Sequence, residues 1–186
     1  LPQQPPHAAG EVKEMLLSIQ QRYILEVLKK LGCVRQRQLR GLVQEKFPEM
    51  DISDRRMEAM LRQLRSGLGN VYAGGEFVRL SSMRADYRRL EAVDVMLELS
   101  ERRLQDFSAD CQSPELLRFS LEGGTLRLFS VATLSDPLYR AGLTEDHPGR
   151  VVWISDDGAS PPGLALPSNH FFAARQPDGS HRFYSS

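Results

Sequence analysis

The stretch DISDRRMEAMLRQLRSGLGNVYAGGEFVRL, residues 51–80, decides the fold of the first half of the chain. Its apolar side chains recur at intervals of three and four residues, which predicts an amphipathic helix over residues 51–67. Either Asp51 or Ser53 can cap the start of this helix, and glycines follow its end. The side chains predicted to be buried are Met57, Met60, Leu61 and Leu64.

The second part of the same stretch predicts a β-hairpin. Two short runs, Val71–Ala73 and Glu76–Leu80, flank the pair Gly74–Gly75. Adjacent glycines accept positive φ without a Cβ clash, so they suit a tight hairpin turn. Phe77 and Val78 compete for the inward position, because successive side chains of a strand face opposite sides.

Two further helices precede this stretch. Residues 11–31 repeat apolar side chains at helical spacing, residues 33–35 can be extended, and residues 36–47 predict a shorter helix. The order is helix, short strand, helix, helix and hairpin, which is the order of a winged helix-turn-helix domain. We assign that domain to residues 11–82 and interpret residues 1–10 as a disordered, Pro-rich lead.

Residues 86–186 predict a small α+β domain of unknown role. A helix over 86–104 comes first, and a hairpin around Gly123–Gly124 follows it. Next come a short helix at 135–143, a buried strand in RVVWISDDG, and a last hairpin around Pro177–Asp178–Gly179. The fold class is therefore α+β: an N-terminal winged helix-turn-helix followed by a small α+β domain whose sheet is built mostly from β-hairpins.

The two halves of the chain differ in charge. Residues 1–90 contain 16 Lys and Arg against 10 Asp and Glu, whereas residues 91–186 contain 8 against 14. A basic first half can attract a polyanion, although the opposite charges can equally match one another within the protein. No apolar run approaches the ~20 residues that span a bilayer, and no signal-peptide pattern is present. We therefore expect a cytoplasmic protein with no membrane partner.

The face of the third helix opposite its apolar stripe is the candidate DNA-reading surface. Arginine can bind guanine O6 and N7 as a two-pronged donor, and glutamine can bind adenine. Preceding arginines can hold phosphates. The alternative is a solvated face, since any exposed helix shows charges at this spacing. The predicted DNA-binding residues are Arg55, Arg56, Ala59, Arg62, Gln63 and Ser66, with Arg35, Arg37 and Arg40 on phosphates.

The hairpin tip favours a different role. Residues Ala73 to Glu76 offer no positive charge, and Glu76 would repel a phosphate. We therefore expect the hairpin mainly to close the core of the domain. A tip without positive charge also supports a second function, in which the domain docks another protein.

Two segments, SDRRMEAMLRQLRSG (residues 53–67) and YAGGEFVRL (72–80), carry a resemblance to known families. Residues 18–80 look like winged-helix DNA-binding domains of bacterial regulators. Through the αβ(β-hairpin)αβ element order that follows the hairpin, the whole chain resembles the small winged-helix proteins of bacterial mobile elements, of the replication-relaxation type. In those proteins the second domain is similar to restriction-endonuclease-like folds. The resemblance implies a DNA-binding regulator of transcription or replication on a mobile element.

The residues argue against an enzyme. A restriction-endonuclease-like site needs an acid on one strand and Glu-x-Lys or Asp-x-Lys on the next, yet no lysine follows Lys46. Glu115 and Glu122 flank the hairpin without such partners. The pair Asp156–Asp157 before Gly158 suits a loop better than a cation site. We expect no cofactor and no metal.

Cysteine and histidine positions add no site. Cys33 and Cys111 lie far apart and suit buried thiols rather than a disulfide framework. The four histidines are scattered without metal-ligand spacing.

The sequence thus predicts a non-enzymatic DNA-binding regulator whose partner is double-stranded DNA. The acidic second domain would bind a second copy of the chain or another protein. The alternative is a winged-helix interaction module in a larger assembly, and the third and weakest reading is a degenerate nuclease.

Overall fold

The computed structural model describes residues 17–134, 148–155 and 167–185, and the chain divides into two compact units, residues 1–85 and 86–186. The predicted Pro-rich lead and the predicted short helix at 135–143 lie outside the described residues. The class is α+β, as predicted, with a small antiparallel sheet in the first unit and a larger mixed sheet in the second.

From residue 17 onward, the first unit has three helices and a three-stranded antiparallel sheet with strand order β1-β3-β2. Its elements are α1 (Ile19–Leu31), β1 (Cys33–Arg35), α2 (Gln36–Lys46), α3 (Asp54–Leu68), β2 (Val71–Gly74) and β3 (Phe77–Leu80).

Helix α1 begins at Ile19 because a capping box fixes its start. The Ser18 hydroxyl accepts a hydrogen bond from the Gln21 backbone N–H, and the Gln21 side chain accepts one from the Ser18 backbone N–H. Two otherwise unsatisfied donors of the first turn are thereby bonded. Residues 17–18, which the sequence predicts to be helical, therefore precede the helix, and residues 11–16 are not among those described.

Helix α3 buries the four residues that its periodicity predicts, and each is at most 8% exposed. Ser53, one of the two predicted caps, accepts from the Arg56 backbone N–H. The helix runs from Asp54 to Leu68, rather than over residues 51–67, and its C-cap Gly69 has a φ of 71°, which favours glycine. Burial of one such side chain contributes about 1.5–3 kcal/mol, so this stripe fixes which face of α3 points outward.

The hairpin turns one residue later than the sequence suggests. Gly74 pairs with Phe77, so the connection consists of Gly75 and Glu76, and Gly75 has φ of 60°. Val78 is fully buried and Phe77 is half-buried, so Val78 is the residue that faces the core. The hairpin thus helps to close the core of this unit.

Among its described residues, the second unit has one helix and a six-stranded sheet with strand order β4-β5-β6-β7-β8-β9. Strands β6, β7 and β8 run parallel, and the other three pairings are antiparallel. The sheet is therefore mixed, whereas the sequence predicts one built mostly from hairpins. The elements are α4 (Tyr87–Ser100), β4 (Leu104–Ser108), β5 (Glu115–Leu121), β6 (Arg127–Thr133), β7 (Arg150–Ser155), β8 (His170–Arg175) and β9 (His181–Ser185).

Two boundaries in this unit differ from the sequence prediction. Helix α4 ends at Ser100 because Glu101 and Arg102 adopt left-handed φ values of 44° and 66°. Leu104, which fits the helical period, instead begins strand β4. The connection between β5 and β6 spans residues 122–126, so the two glycines lie within a longer loop than the tight turn expected.

The core of the second unit lies on both faces of its sheet. Helix α4 packs on β5 and β6, where Phe119 and Phe129 stack with ring centroids 5.0 Å apart. Side chains alternate between the two faces along a strand. Trp153 and Phe172, which are cross-strand partners, therefore lie on the face opposite to Phe129, where they belong to a buried cluster. Across the residues that the structure covers, no helix has the length and apolarity needed to cross a bilayer.

Candidate nucleic-acid interface

The outward face of α3 is the candidate interface. Arg55, Ala59, Arg62 and Ser66 follow one another at helical spacing on the side opposite the buried stripe, and all four are exposed. Arg56 and Gln63 are also exposed and flank this row. The structure therefore brings all six predicted α3 residues onto one accessible surface.

Among the described residues, Arg55, Arg56 and Arg62 form no ion pair. An exposed arginine keeps its donors for a ligand, and its planar fork suits a base edge or a phosphate.

Two of the predicted phosphate residues are opposed by carboxylates. The Arg35 Nε lies 3.6 Å from a Glu76 carboxylate oxygen, and only 13% of the Arg35 side chain is exposed. The Arg40 Nη1 lies 2.9 Å from an Asp54 carboxylate oxygen. Arg37 is exposed. Of the three residues, Arg35 is the least accessible to a phosphate.

Gln63 is held by a residue that the sequence analysis does not single out. Its Oε1 accepts a hydrogen bond of 2.8 Å from Nε2 of Gln21, which is 6% exposed on α1. The Ser66 hydroxyl donates to the Gln63 backbone carbonyl at 3.1 Å. The Ser-x-x-Gln pattern of residues 18–21 marks Gln21 as a capping residue, but nothing in it predicts contact with α3.

A groove of about 270 Å³ lies between α3 and the hairpin. Arg62 and Arg65 line one side with Glu58, and Gly74 and Gly75 line the other. Two positive charges and one negative charge therefore face this space.

The basic residue of the hairpin is held against the protein itself. The Arg79 guanidinium lies 4.7 Å from the ring centroid of Tyr72 and donates to the backbone carbonyls of Ser81 and Met83. Tyr72 remains 48% exposed beside it. With Glu76 at the tip, the hairpin offers weak chemistry for a phosphate, as its sequence predicts.

The surroundings of Glu115 and Glu122 differ from those of a nuclease metal site. Glu115 is almost fully buried on β5, where its carboxylate forms an ion pair with Arg118. Glu122 lies just beyond that strand. In residues 17–134, 148–155 and 167–185, no three His, Cys, Asp or Glu residues form a group that could hold a metal ion. The pair Asp156–Asp157 lies outside those ranges.

The cysteine prediction holds for one of the two thiols. Cys33 is buried and Cys111 is half-buried, and neither forms a disulfide. Burial raises the pKa of both thiols, and the neighbouring Glu115 carboxylate raises that of Cys111 further.

A buried histidine joins β9 to α4 in the second unit. The His181 ring has Nδ1 3.0 Å from a Glu98 oxygen and Nε2 3.3 Å from a Glu91 oxygen, and 1% of its side chain is exposed. Burial disfavours the imidazolium, but the hydrogen bonds to both carboxylates and their charges outweigh burial, so the pKa of His181 is raised.

Comparison with known proteins identifies no relative. No family model matches the chain, and neither a curated protein nor a solved structure shows significant similarity to it.

Proposed function

We propose that residues 19–80 form a winged helix-turn-helix domain that binds duplex DNA through α3. The protein would act as a non-enzymatic regulator of transcription or replication on a bacterial mobile element. The observation that carries the proposal is the exposed face of α3, where Gln63 and Ser66 lie beside three arginines that form no ion pair within the described part of the chain.

The arrangement of the first unit supports this proposal. A helix, a short strand, two helices and a hairpin follow one another, and β1 joins the hairpin as the third strand of its sheet. In a winged helix the third helix enters the major groove, and here its buried stripe faces the core while its arginines face outward. Ala59, the small residue in the middle of that row, permits close approach to the base edges.

The Arg55→Ala/Arg56→Ala variant tests the proposal. Both side chains are exposed on α3 and form no ion pair in the described part of the chain, so the melting temperature should stay within about 2 °C of the wild type. Preference for a selected duplex over random DNA should fall by on the order of 100-fold, since each lost guanine contact costs about 1–3 kcal/mol. Unchanged preference would refute the assignment of these two residues.

A protein-docking role is the second candidate, and the hairpin tip favours it. Glu76 is 61% exposed at the tip and Arg79 is bound to backbone carbonyls, so this edge suits a protein surface better than a phosphate. A stable partner recovered with the wild type and lost in Tyr72→Ala, together with DNA binding no better than generic, would support docking.

We further propose that the second unit binds a second copy of the chain or another protein. The formal charge of residues 91–186 is −6, which disfavours direct contact with DNA. Sedimentation of the full chain at several concentrations tests self-association. A monomer at every concentration would exclude a second copy of the chain as the partner and leave another protein as the remaining candidate.

A further inference from the structure

The hydrogen bonds around Gln63 fix which of its side-chain atoms faces outward. The Ser18 backbone N–H can only donate, so the atom of Gln21 that lies 3.0 Å from it is the carbonyl oxygen Oε1. The remaining terminal atom of Gln21 is the amide nitrogen, which is also only a donor. It lies 2.8 Å from Gln63 and therefore faces the Gln63 carbonyl oxygen.

The amide N–H groups of Gln63 are therefore the atoms turned away from Gln21. Gln21 is 6% exposed and held at both ends, whereas Gln63 is exposed on α3. Two-pronged recognition of adenine needs the glutamine oxygen to accept from N6 while the nitrogen donates to N7. That contact would make the Gln63 oxygen accept from both the Gln21 N–H and adenine N6, using both of its lone pairs, whereas a contact with guanine uses only the N–H groups that already face away from Gln21.

We propose that Gln21 determines which base Gln63 selects, by orienting Gln63 as a hydrogen-bond donor toward guanine. This inference rests on the proposed DNA-binding function of α3. Guanine presents two adjacent acceptors, N7 and O6, in the major groove, whereas cytosine presents an amino donor. Gln21 is thus a positioning residue, buried behind the surface that contacts DNA.

The Gln21→Glu variant provides a sharp test because the atom of residue 21 that faces Gln63 changes from a hydrogen-bond donor to an acceptor. One carboxylate oxygen still accepts from the Ser18 N–H, which keeps the capping box and the helix start. The other oxygen can only accept, so Gln63 must turn its N–H groups inward. Its carbonyl oxygen then faces the DNA and accepts from the amino group of cytosine.

The experiment selects duplexes from a random pool with the full chain and sequences the bound fraction. The wild type should favour guanine at one position by on the order of tenfold, and Gln21→Glu should favour cytosine there by a similar factor. Gln63→Ala should lose preference at that position alone, and adding Gln21→Glu to it should change nothing further.

The matched control is Gln20→Glu, which adds the same charge one residue away. Gln20 bonds to Met50 rather than to Gln63, so this variant should keep the guanine preference. If the wild type selects a sequence and Gln21→Glu keeps its base preference, the inference is wrong and the proposed function stands. If the wild type selects no sequence, both the proposed function and this inference are wrong.

Discussion

Replacing His181 by Gln should destabilise the second unit in a pH-dependent way. At pH 6 the doubly protonated ring can donate to Glu98 and to Glu91 at once, over 3.0 and 3.3 Å. A shielded hydrogen bond to a charged group contributes about 1.5–3 kcal/mol. Because these carboxylates are 30% and 20% exposed, we expect the variant to lose about 2 kcal/mol in total.

The sign of the pH dependence follows from the raised pKa of His181. Its contribution is fully present below the unfolded value of 6.5 and is lost as the pH rises through the higher folded pKa. Within that window, wild-type stability should fall by at most about 1.4 kcal/mol per pH unit. The groups facing the ring are Glu91 and Glu98 on α4, with Arg175 as its cross-strand partner on β8.

Urea denaturation followed by tryptophan fluorescence measures this effect locally. Trp153 is the single tryptophan of the chain and is 1% exposed in the second unit, so its emission reports unfolding there. The wild type should lose stability from pH 6 to pH 8.5, and His181→Gln should show that loss much reduced. Arg182→Gln, at the exposed neighbouring position, should behave as the wild type. An identical pH dependence in His181→Gln and the wild type would refute the reasoning.

The remaining predictions concern the first unit. Val78→Ala should lower the free energy of unfolding by about 2 kcal/mol, because Val78 is fully buried. Phe77→Ala, at a half-buried position, should lower it less. Equal losses in urea titrations would contradict the conclusion that Val78 faces the core. Gly75→Ala should destabilise by about 1 kcal/mol, since its φ is 60°. Gly67→Ala should stabilise by about 0.5–1 kcal/mol, because Gly67 lies inside α3 with open space around it. Melting temperatures that move in the same direction for both glycine variants would contradict this pair of predictions.

Local periodicity predicts the elements whose stability is decided locally. The α3 stripe repeats every three to four residues, and its four apolar side chains are buried as expected. The end of α4 is different, because Leu104 continues the helical period. The helix stops where Glu101 and Arg102 take left-handed conformations, which non-glycine residues adopt without a clear sequence signal.

Features that depend on distant residues were not predictable. The parallel arrangement of β6, β7 and β8 depends on pairing between strands far apart in the chain, and no local pattern specifies it. The exposed face of α3, in contrast, is predictable because it follows from the spacing of the apolar residues within that helix. The carboxylates that oppose Arg35 and Arg40 belong to other segments, and the partner that orients Gln63 lies on α1.

The most direct test of DNA binding by α3 is fluorescence anisotropy with a selected duplex and a random duplex at two salt concentrations. Arg55→Ala/Arg62→Ala is measured beside the wild type, since both arginines lie in the outward row of α3. The wild type should prefer the selected duplex by about 10³-fold or more at both concentrations, and the variant should lose most of that preference. Weak, equal binding of both duplexes that disappears with salt would mean only generic phosphate attraction and would contradict the proposed function.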